Sequence, residues 1–217
     1  MKLRILLIVA CISLVALAGV STAGMNQQKR AGTFARLRAA QLTETDAANI
    51  IYMRQEEKLA RDVYITLNEI WDAPVFGNII ASEQRHMDAL KNLIDLYNLE
   101  DPITDNTVGE FDNSEFADLY DYFVEKGTIN NLFLDALNVG VSIETLDVAD
   151  LQEKLEQTTA INVKRVFSNL LAGSEKHLAA FQRCIDNYDA ECQLNCLGGA
   201  ACTQARNRDC SCINNVP

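Results

Sequence analysis

An all-α fold, a four-helix bundle with one long crossover connection, is what this sequence predicts, on three observations. Apolar residues recur at steps of three and four through four long segments. The three prolines, Pro74, Pro102 and Pro217, all fall outside those segments. No stretch carries the alternating pattern of a half-buried strand; valines and isoleucines sit at helical steps instead.

The chain opens on Lys2 and Arg4, an apolar run from Ile5 to Ala18, and the small residues Ser21-Thr22-Ala23. Residues 1–23 therefore read as a signal peptide cleaved near Ala23, which makes the protein exported, periplasmic or secreted, with no stable membrane span after processing. Residues 24–41 are polar and basic and read as a flexible lead-in. Thr43-Glu44-Thr45-Asp46 has the form of a helix cap.

The first long helix is expected from about Thr43 to Trp71, with Met53, Glu57, Ala60, Tyr64, Leu67 and Trp71 in line. Pro74 breaks it. A second begins near Val75 and aligns Ile79, Glu83, His86, Leu90, Leu93 and Tyr97. An excursion of roughly thirty residues follows, long for a connection within a compact domain. It carries a short amphipathic helix over Ser114 to Lys126, which Gly127 is expected to end. The third long helix aligns Phe133, Leu137, Gly140, Glu144, Val148, Leu151 and Leu155, and the fourth, Ile161 to Tyr188, aligns Val163, Phe167, Leu170, Ser174, His177, Phe181 and Cys184. Residues 42–188 thus form the bundle, and one long crossover is the connectivity of ferritin-like bundles.

Six of the seven cysteines, Cys184, Cys192, Cys196, Cys202, Cys210 and Cys212, cluster at the C-terminal end. In an exported chain that spacing reads as disulfides, with residues 189–217 forming a small Cys-rich tail, and it leaves every pairing open. Thiolate binding of a soft metal such as copper is the weaker reading of the same residues.

The net charge of −11 becomes −13 once Lys2 and Arg4 leave with the signal segment. A chain this acidic is a poor partner for nucleic acid. About 190 mature residues suffice for one helical domain with its own core.

Glu57, Glu83, His86, Glu144 and His177 fall on the apolar stripes of four different helices, and the two histidines are the only ones in the chain. A buried carboxylate must neutralise, pair or coordinate a cation, and several together repel. A pair of metal ions answers both problems, and Glu83-Gln84-Arg85-His86 lets one turn supply two ligands. Oxygen and imidazole donors suit iron, manganese or zinc, with redox work favouring the first two. The competing structural explanation pairs the acids with Arg61, Arg85 or Lys176.

The segment Tyr52-Met53-Arg54-Gln55-Glu56-Glu57-Lys58-Leu59-Ala60-Arg61-Asp62-Val63-Tyr64 is similar to the hallmark of the domain of unknown function 2202 family. So are Ala81-Ser82-Glu83-Gln84-Arg85-His86-Met87 and Gly173-Ser174-Glu175-Lys176-His177-Leu178. Its first helix also resembles that of rubrerythrin-type di-iron bundles. The resemblance covers roughly residues 45 to 185. It implies a ferritin-like bundle whose ligands are Glu57, Glu83 with His86, Glu144 and His177. One position departs from the rubrerythrin pattern: Ser174 stands where the fourth helix carries a glutamate. Glu175 lies about a hundred degrees round the helix and is no substitute, which leaves Asp147, one turn past Glu144, as the candidate for the missing oxygen.

These readings together point to an exported metal-binding protein holding two ions of iron or manganese, or one, and reacting with a small oxidant or ferrous ion. The alternative is a non-catalytic binding or envelope module stapled by its C-terminal disulfides. Nothing in the sequence identifies a shell-forming surface, which disfavours a storage cage; a dimer is compatible with it.

Overall fold

The computed structural model describes residues 42–197, with side chains as far as Tyr188. The expected signal segment, the lead-in 24–41, Cys202, Cys210 and Cys212, and the side chains of Cys192 and Cys196 lie outside the described residues. Five helices form: α1 (Glu44–Trp71), α2 (Pro74–Tyr97), α3 (Ser114–Thr128), α4 (Phe133–Gln157) and α5 (Ile161–Leu197).

Local chemistry sets their ends. The Thr43 hydroxyl accepts from the Asp46 amide at 3.0 Å while Asp46 accepts from the Thr43 amide at 3.2 Å, so two free amides at the start of α1 are satisfied reciprocally. Asp46 also accepts from the Thr159 amide and hydroxyl, both at 3.0 Å, and so ties the α4–α5 link to α1. Asp72 ends α1 in the left-handed region at φ 46°, and Pro74 opens α2 where a missing amide hydrogen costs nothing.

Links this short make α1 and α2 antiparallel neighbours, and likewise α4 and α5. Asn49 reaches Gln157 at 3.4 Å and the Tyr52 hydroxyl donates to Asp150 at 3.3 Å, so α1 and α4 also run antiparallel. Tyr97 hydrogen-bonds Asn162 and sets the end of α2 against the start of α5. The crossover therefore carries the chain back along the bundle, and α2 and α4 run parallel.

The core is two apolar layers with a polar one between. Tyr64, Leu67, Phe76, Phe133, Leu137 and Phe181 belong to one cluster, and Ile50, Met53, Leu90, Leu151, Phe167 and Leu170 to the other. On each long helix the change of cluster falls at the same level: at Glu57 on α1, Glu83 and His86 on α2, Glu144 and Asp147 on α4, and Ser174 and His177 on α5.

The expectation of a four-helix bundle is corrected: the described residues make five helices, and the short one is part of the core. Phe116 and Phe123 are buried, because a 15-residue amphipathic helix has no other way to remove its apolar stripe from water; α3 packs them against α1 and α4. Gly127 does not end α3. It stays helical and buried, and a Cβ there would lie 2.7 Å from Leu67 Cδ2, so its bare backbone admits that side chain.

The disulfide-stapled tail is corrected as well. No disulfide bond joins two of the described residues; Cys184 lies 1 % exposed on the inner stripe of α5, within the apolar cluster of Tyr64, Phe133 and Phe181. The last helix also continues to Leu197, so Cys192 and Cys196 stand on helical backbone and no separate tail begins at residue 189.

Candidate metal centre

The polar layer gathers all five expected residues. Glu57, Glu83 and Glu144 are only 1–2 % exposed, His177 7 % and His86 9 %. His86 Nδ1 stands 3.0 Å from Glu57 Oε2 and 2.9 Å from Glu83 Oε2. His177 Nδ1 stands 2.8 Å from Glu83 Oε1 and 3.5 Å from Glu144 Oε2. Two groups of donor atoms result, Glu57–Glu83–His86 and Glu83–Glu144–His177, the atoms of each lying within 4.8 Å of one another. Glu83 belongs to both, one oxygen turned toward each imidazole.

Charge is crowded here, and the pKa values respond. Burial, with repulsion from Asp147 and Glu83, pushes the Glu57 carboxyl well above the ordinary carboxylate range. Burial and the Glu83 charge raise Glu144 to about 8. At Glu83 burial opposes ionisation as well, but His177 and His86 outweigh it and hold the carboxyl well below its usual value. Burial likewise disfavours an imidazolium at His177, yet Glu83 and Glu144 raise it to about 10.

Neighbouring side chains support this layer. The Tyr64 hydroxyl donates to Glu144 Oε1 at 2.7 Å. Asp147 on α4 accepts from the Ser174 hydroxyl on α5. The Ser174 hydroxyl also lies 3.1 Å from the Leu170 carbonyl, which can only accept. The Ser174 hydroxyl donates toward both acceptors; burial raises the Asp147 pKa to about 7, while the bond from Ser174 works the other way. Gly173 gives His86 its place, since a Cβ there would fall 2.5 Å from His86 Nε2.

A cation-binding site should leave lone pairs that nothing in the protein uses. Glu57 Oε1, Glu83 Oε1, Asp147 Oδ1 and His177 Nδ1 are buried and have no hydrogen-bond partner. Glu83 Oε1 and His177 Nδ1 lie outside hydrogen-bond alignment but pair at 2.8 Å, so the clearest orphans are Glu57 Oε1 and Asp147 Oδ1. Buried acceptors without partners are rare because each costs about 1–3 kcal/mol. The residues therefore fit divalent ions held by carboxylate oxygen and imidazole nitrogen.

Residues 46–198 match the family model described as "Uncharacterized protein domain (DUF2202)". The chain belongs to this family. It is 46 % identical over 147 residues to the "Uncharacterized protein MJ0754" of Methanocaldococcus jannaschii, a match covering 68 % of this chain and 78 % of that one. It also resembles the crystal structure of the hypothetical protein MJ0754 from Methanococcus jannaschii, with a TM-score of 0.67 and 45 % identity over 69 % of this chain and 84 % of the other. This DUF2202 chain thus has a helical fold containing two buried Glu/His groups.

The DUF2202 hallmark on α1 has a second face, which decides the fate of the cations. Arg61 turns away from Glu57 and donates to Asp62 Oδ1 at 2.6 Å, Gln84 Oε1 at 2.8 Å and Asn106 Oδ1 at 2.9 Å. Arg85 and Lys176 are exposed. No Lys or Arg among the described residues pairs with Glu57, Glu83 or Glu144. The structural explanation weighed above therefore fails for all three cations.

Two supporting residues were illegible beforehand. Gly173 carried no local signal, because close approach between α2 and α5 has no trace in the periodicity of either. Glu56, buried with Oε2 unpartnered, sits one residue off the predicted stripe and reads as surface.

Proposed function

We propose that this protein binds a pair of redox-active divalent ions, iron or manganese, between α1, α2, α4 and α5, and uses them to react with dioxygen, peroxide or ferrous ion. The observation that carries the reading is the convergence of two buried Glu/His groups that share Glu83, with Glu57 Oε1 buried among them and without a hydrogen-bond partner. Glu57 and His86 would hold one ion, Glu144 and His177 the other, and Glu83 both. When bound, such ions supply Lewis acidity and one-electron chemistry to a small oxidant. The chain's own part is to neutralise them with three carboxylates, to keep donors and bulk water out of a layer a few per cent exposed, and to hold a proton at Tyr64 on Glu144 Oε1.

Metal loading of protein purified without a tag tests this, with stoichiometry and optical spectra recorded anaerobically and then in air. Two ions per chain and an oxygen-dependent spectral change are expected. Binding of no iron or manganese, with melting unchanged by either, would remove the reading. A single ion is the second reading. Ser174 favours it, leaving the Glu144–His177 side to draw its further oxygen from Asp147. A stoichiometry of one, lost in Glu57→Gln and kept in Glu144→Gln, is its signature.

The apolar run Ile5 to Ala18 supports export as part of the proposal. No helix among the described residues is long and apolar enough to cross a membrane. Mass measurement of the processed protein, expected to begin after Ala23, tests it.

A further inference from the structure

We propose that Tyr64 and Trp71 form a one-electron path between the polar layer and the end of the bundle at the α1–α2 turn. The metal reading supplies only what drives this path; the path itself is a property of the chain. Tyr64 is fully buried, and its hydroxyl is bonded to Glu144 Oε1 at 2.7 Å. A phenol yields an electron readily when its hydroxyl proton has an acceptor at hydrogen-bond distance, and Glu144 Oε1 is that acceptor.

Trp71 lies seven residues on along the same face of α1, about 10 Å of helical rise. The space between is aromatic. The Phe76 ring is 5.9 Å from Tyr64 and 6.4 Å from Phe133, and Phe133 is 5.7 Å from Trp71. Phe181, 5.3 Å from Tyr64 and 5.5 Å from Phe76, closes the other side. Phenylalanine is too hard to oxidise to hold a charge, so these rings are the coupling medium and Tyr64 and Trp71 the stations. Trp71 is the chain's only tryptophan and is only partly buried. Its buried Nε1 has no hydrogen-bond partner. An oxidised indole there has no base to take its proton, and it is refilled by an electron rather than resting as the neutral radical.

The steps balance. An oxidising equivalent delivered by peroxide at the polar layer takes one electron from Tyr64, whose hydroxyl proton passes to Glu144 Oε1. Trp71 gives an electron to Tyr64 and the proton returns. A one-electron donor of the thiol or ascorbate class refills Trp71 at the surface. Two such turns, with two protons from solvent, reduce one peroxide to two waters and oxidise two donor molecules by one electron each. Donors of that size cannot reach carboxylates 1–2 % exposed, so electrons enter through the chain.

Pulse radiolysis of the metal-free protein with azidyl radicals, which oxidise tryptophan selectively, tests the path. Indolyl absorption is expected to decay in a concentration-independent step as phenoxyl absorption grows, which reads the coupling of the two stations by driving the electron from Tyr64 to Trp71, the reverse crossing of the same path. That growth is lost in Tyr64→Phe and kept in Tyr97→Phe, with melting curves checking that each variant is folded. A concentration-independent step that survives in Tyr64→Phe overturns the proposal, and so does its absence from the unaltered protein. No metal enters this experiment, so its failure leaves the metal reading standing, and a failure to bind metal leaves this result decisive.

Discussion

Two faces of one helix, both buried and both charged, behave in opposite ways. On the outer face of α1, Lys58 bonds Asp62 and the Thr107 carbonyl, and Asp62 accepts from Gly109. Arg61 reaches Asp62, Gln84 and Asn106, and Arg54 reaches Asp101 and the Met87 carbonyl. Every charge there closes on another and pins the crossover loop to the bundle. On the inner face Glu57 meets acids and an imidazole, and one of its oxygens bonds to nothing. Burial alone does not separate structure from site; what separates them is whether the buried charges satisfy one another.

Breaking the outer face should do the greater harm to the fold. Asp62→Ala strands Lys58 and Arg61 in a buried place, and breaking one partner of such a network costs about 3–5 kcal/mol. Urea denaturation of the metal-free protein should show that loss, with no comparable loss in Glu57→Gln, which removes a repelled acid. Equal losses in the two variants would erase the distinction between the faces.

The inner face should show itself through ligand linkage. At a free metal concentration of about one hundred times the dissociation constant, binding stabilises the native state by about 2.7 kcal/mol. Glu83→Gln should abolish that gain at both ions. It also strips His86 and His177 of the carboxylate they face, so its metal-free melt should fall too. The loss of the metal-induced shift, read from thermal melts with and without ferrous or manganous ion, is the measure.

pH sharpens the contrast further. Glu144 titrates near 8 in the fold against an ordinary 4.5, and Asp147 near 7 against 3.8. A raised carboxyl favours the fold below its unfolded value, and that contribution drains away as pH rises through the folded value. The metal-free protein should therefore lose stability from these groups between about pH 4 and pH 8, while metal affinity rises as the protons leave. Calorimetry in two buffers of different ionisation enthalpy should find protons released on binding.

The smallest expected effect is at Gly173. Gly173→Ala crowds His86 Nε2 and should weaken metal binding by about 10-fold, the scale of altered support around a ligand, with little change in the metal-free melt.

Helical periodicity made much of this legible. A period of 3.6 residues puts Glu57, Glu83, His86, Glu144 and His177 on inner stripes, and all five meet. The same period blurs neighbours three and four residues apart. Val148 was placed on the α4 stripe, yet Asp147 is the buried one and Val148 only partly so. Arg61 could be read as the partner of Glu57 because spacing along a helix does not reveal which way a long side chain turns. Relations between helices were least visible: the bare backbone at Gly127 and Gly173 matters only for what approaches from elsewhere. The tail was misread because Cys and Asn look irregular locally, whereas a helix already formed continues at little cost.

Glu83 belongs to both groups of donors, and this has a thermodynamic consequence for how two ions would load. Either ion would bind one oxygen of a carboxylate whose other oxygen the second ion depends on, so two separate affinities would not describe the filling. Coupling of this kind is reciprocal: whatever the first ion does to the second, the second does to the first. A sample given half its complement of metal would then hold proportions of empty, singly and doubly filled molecules that depart from chance, and the size of that departure would measure the free energy transmitted through one carboxylate.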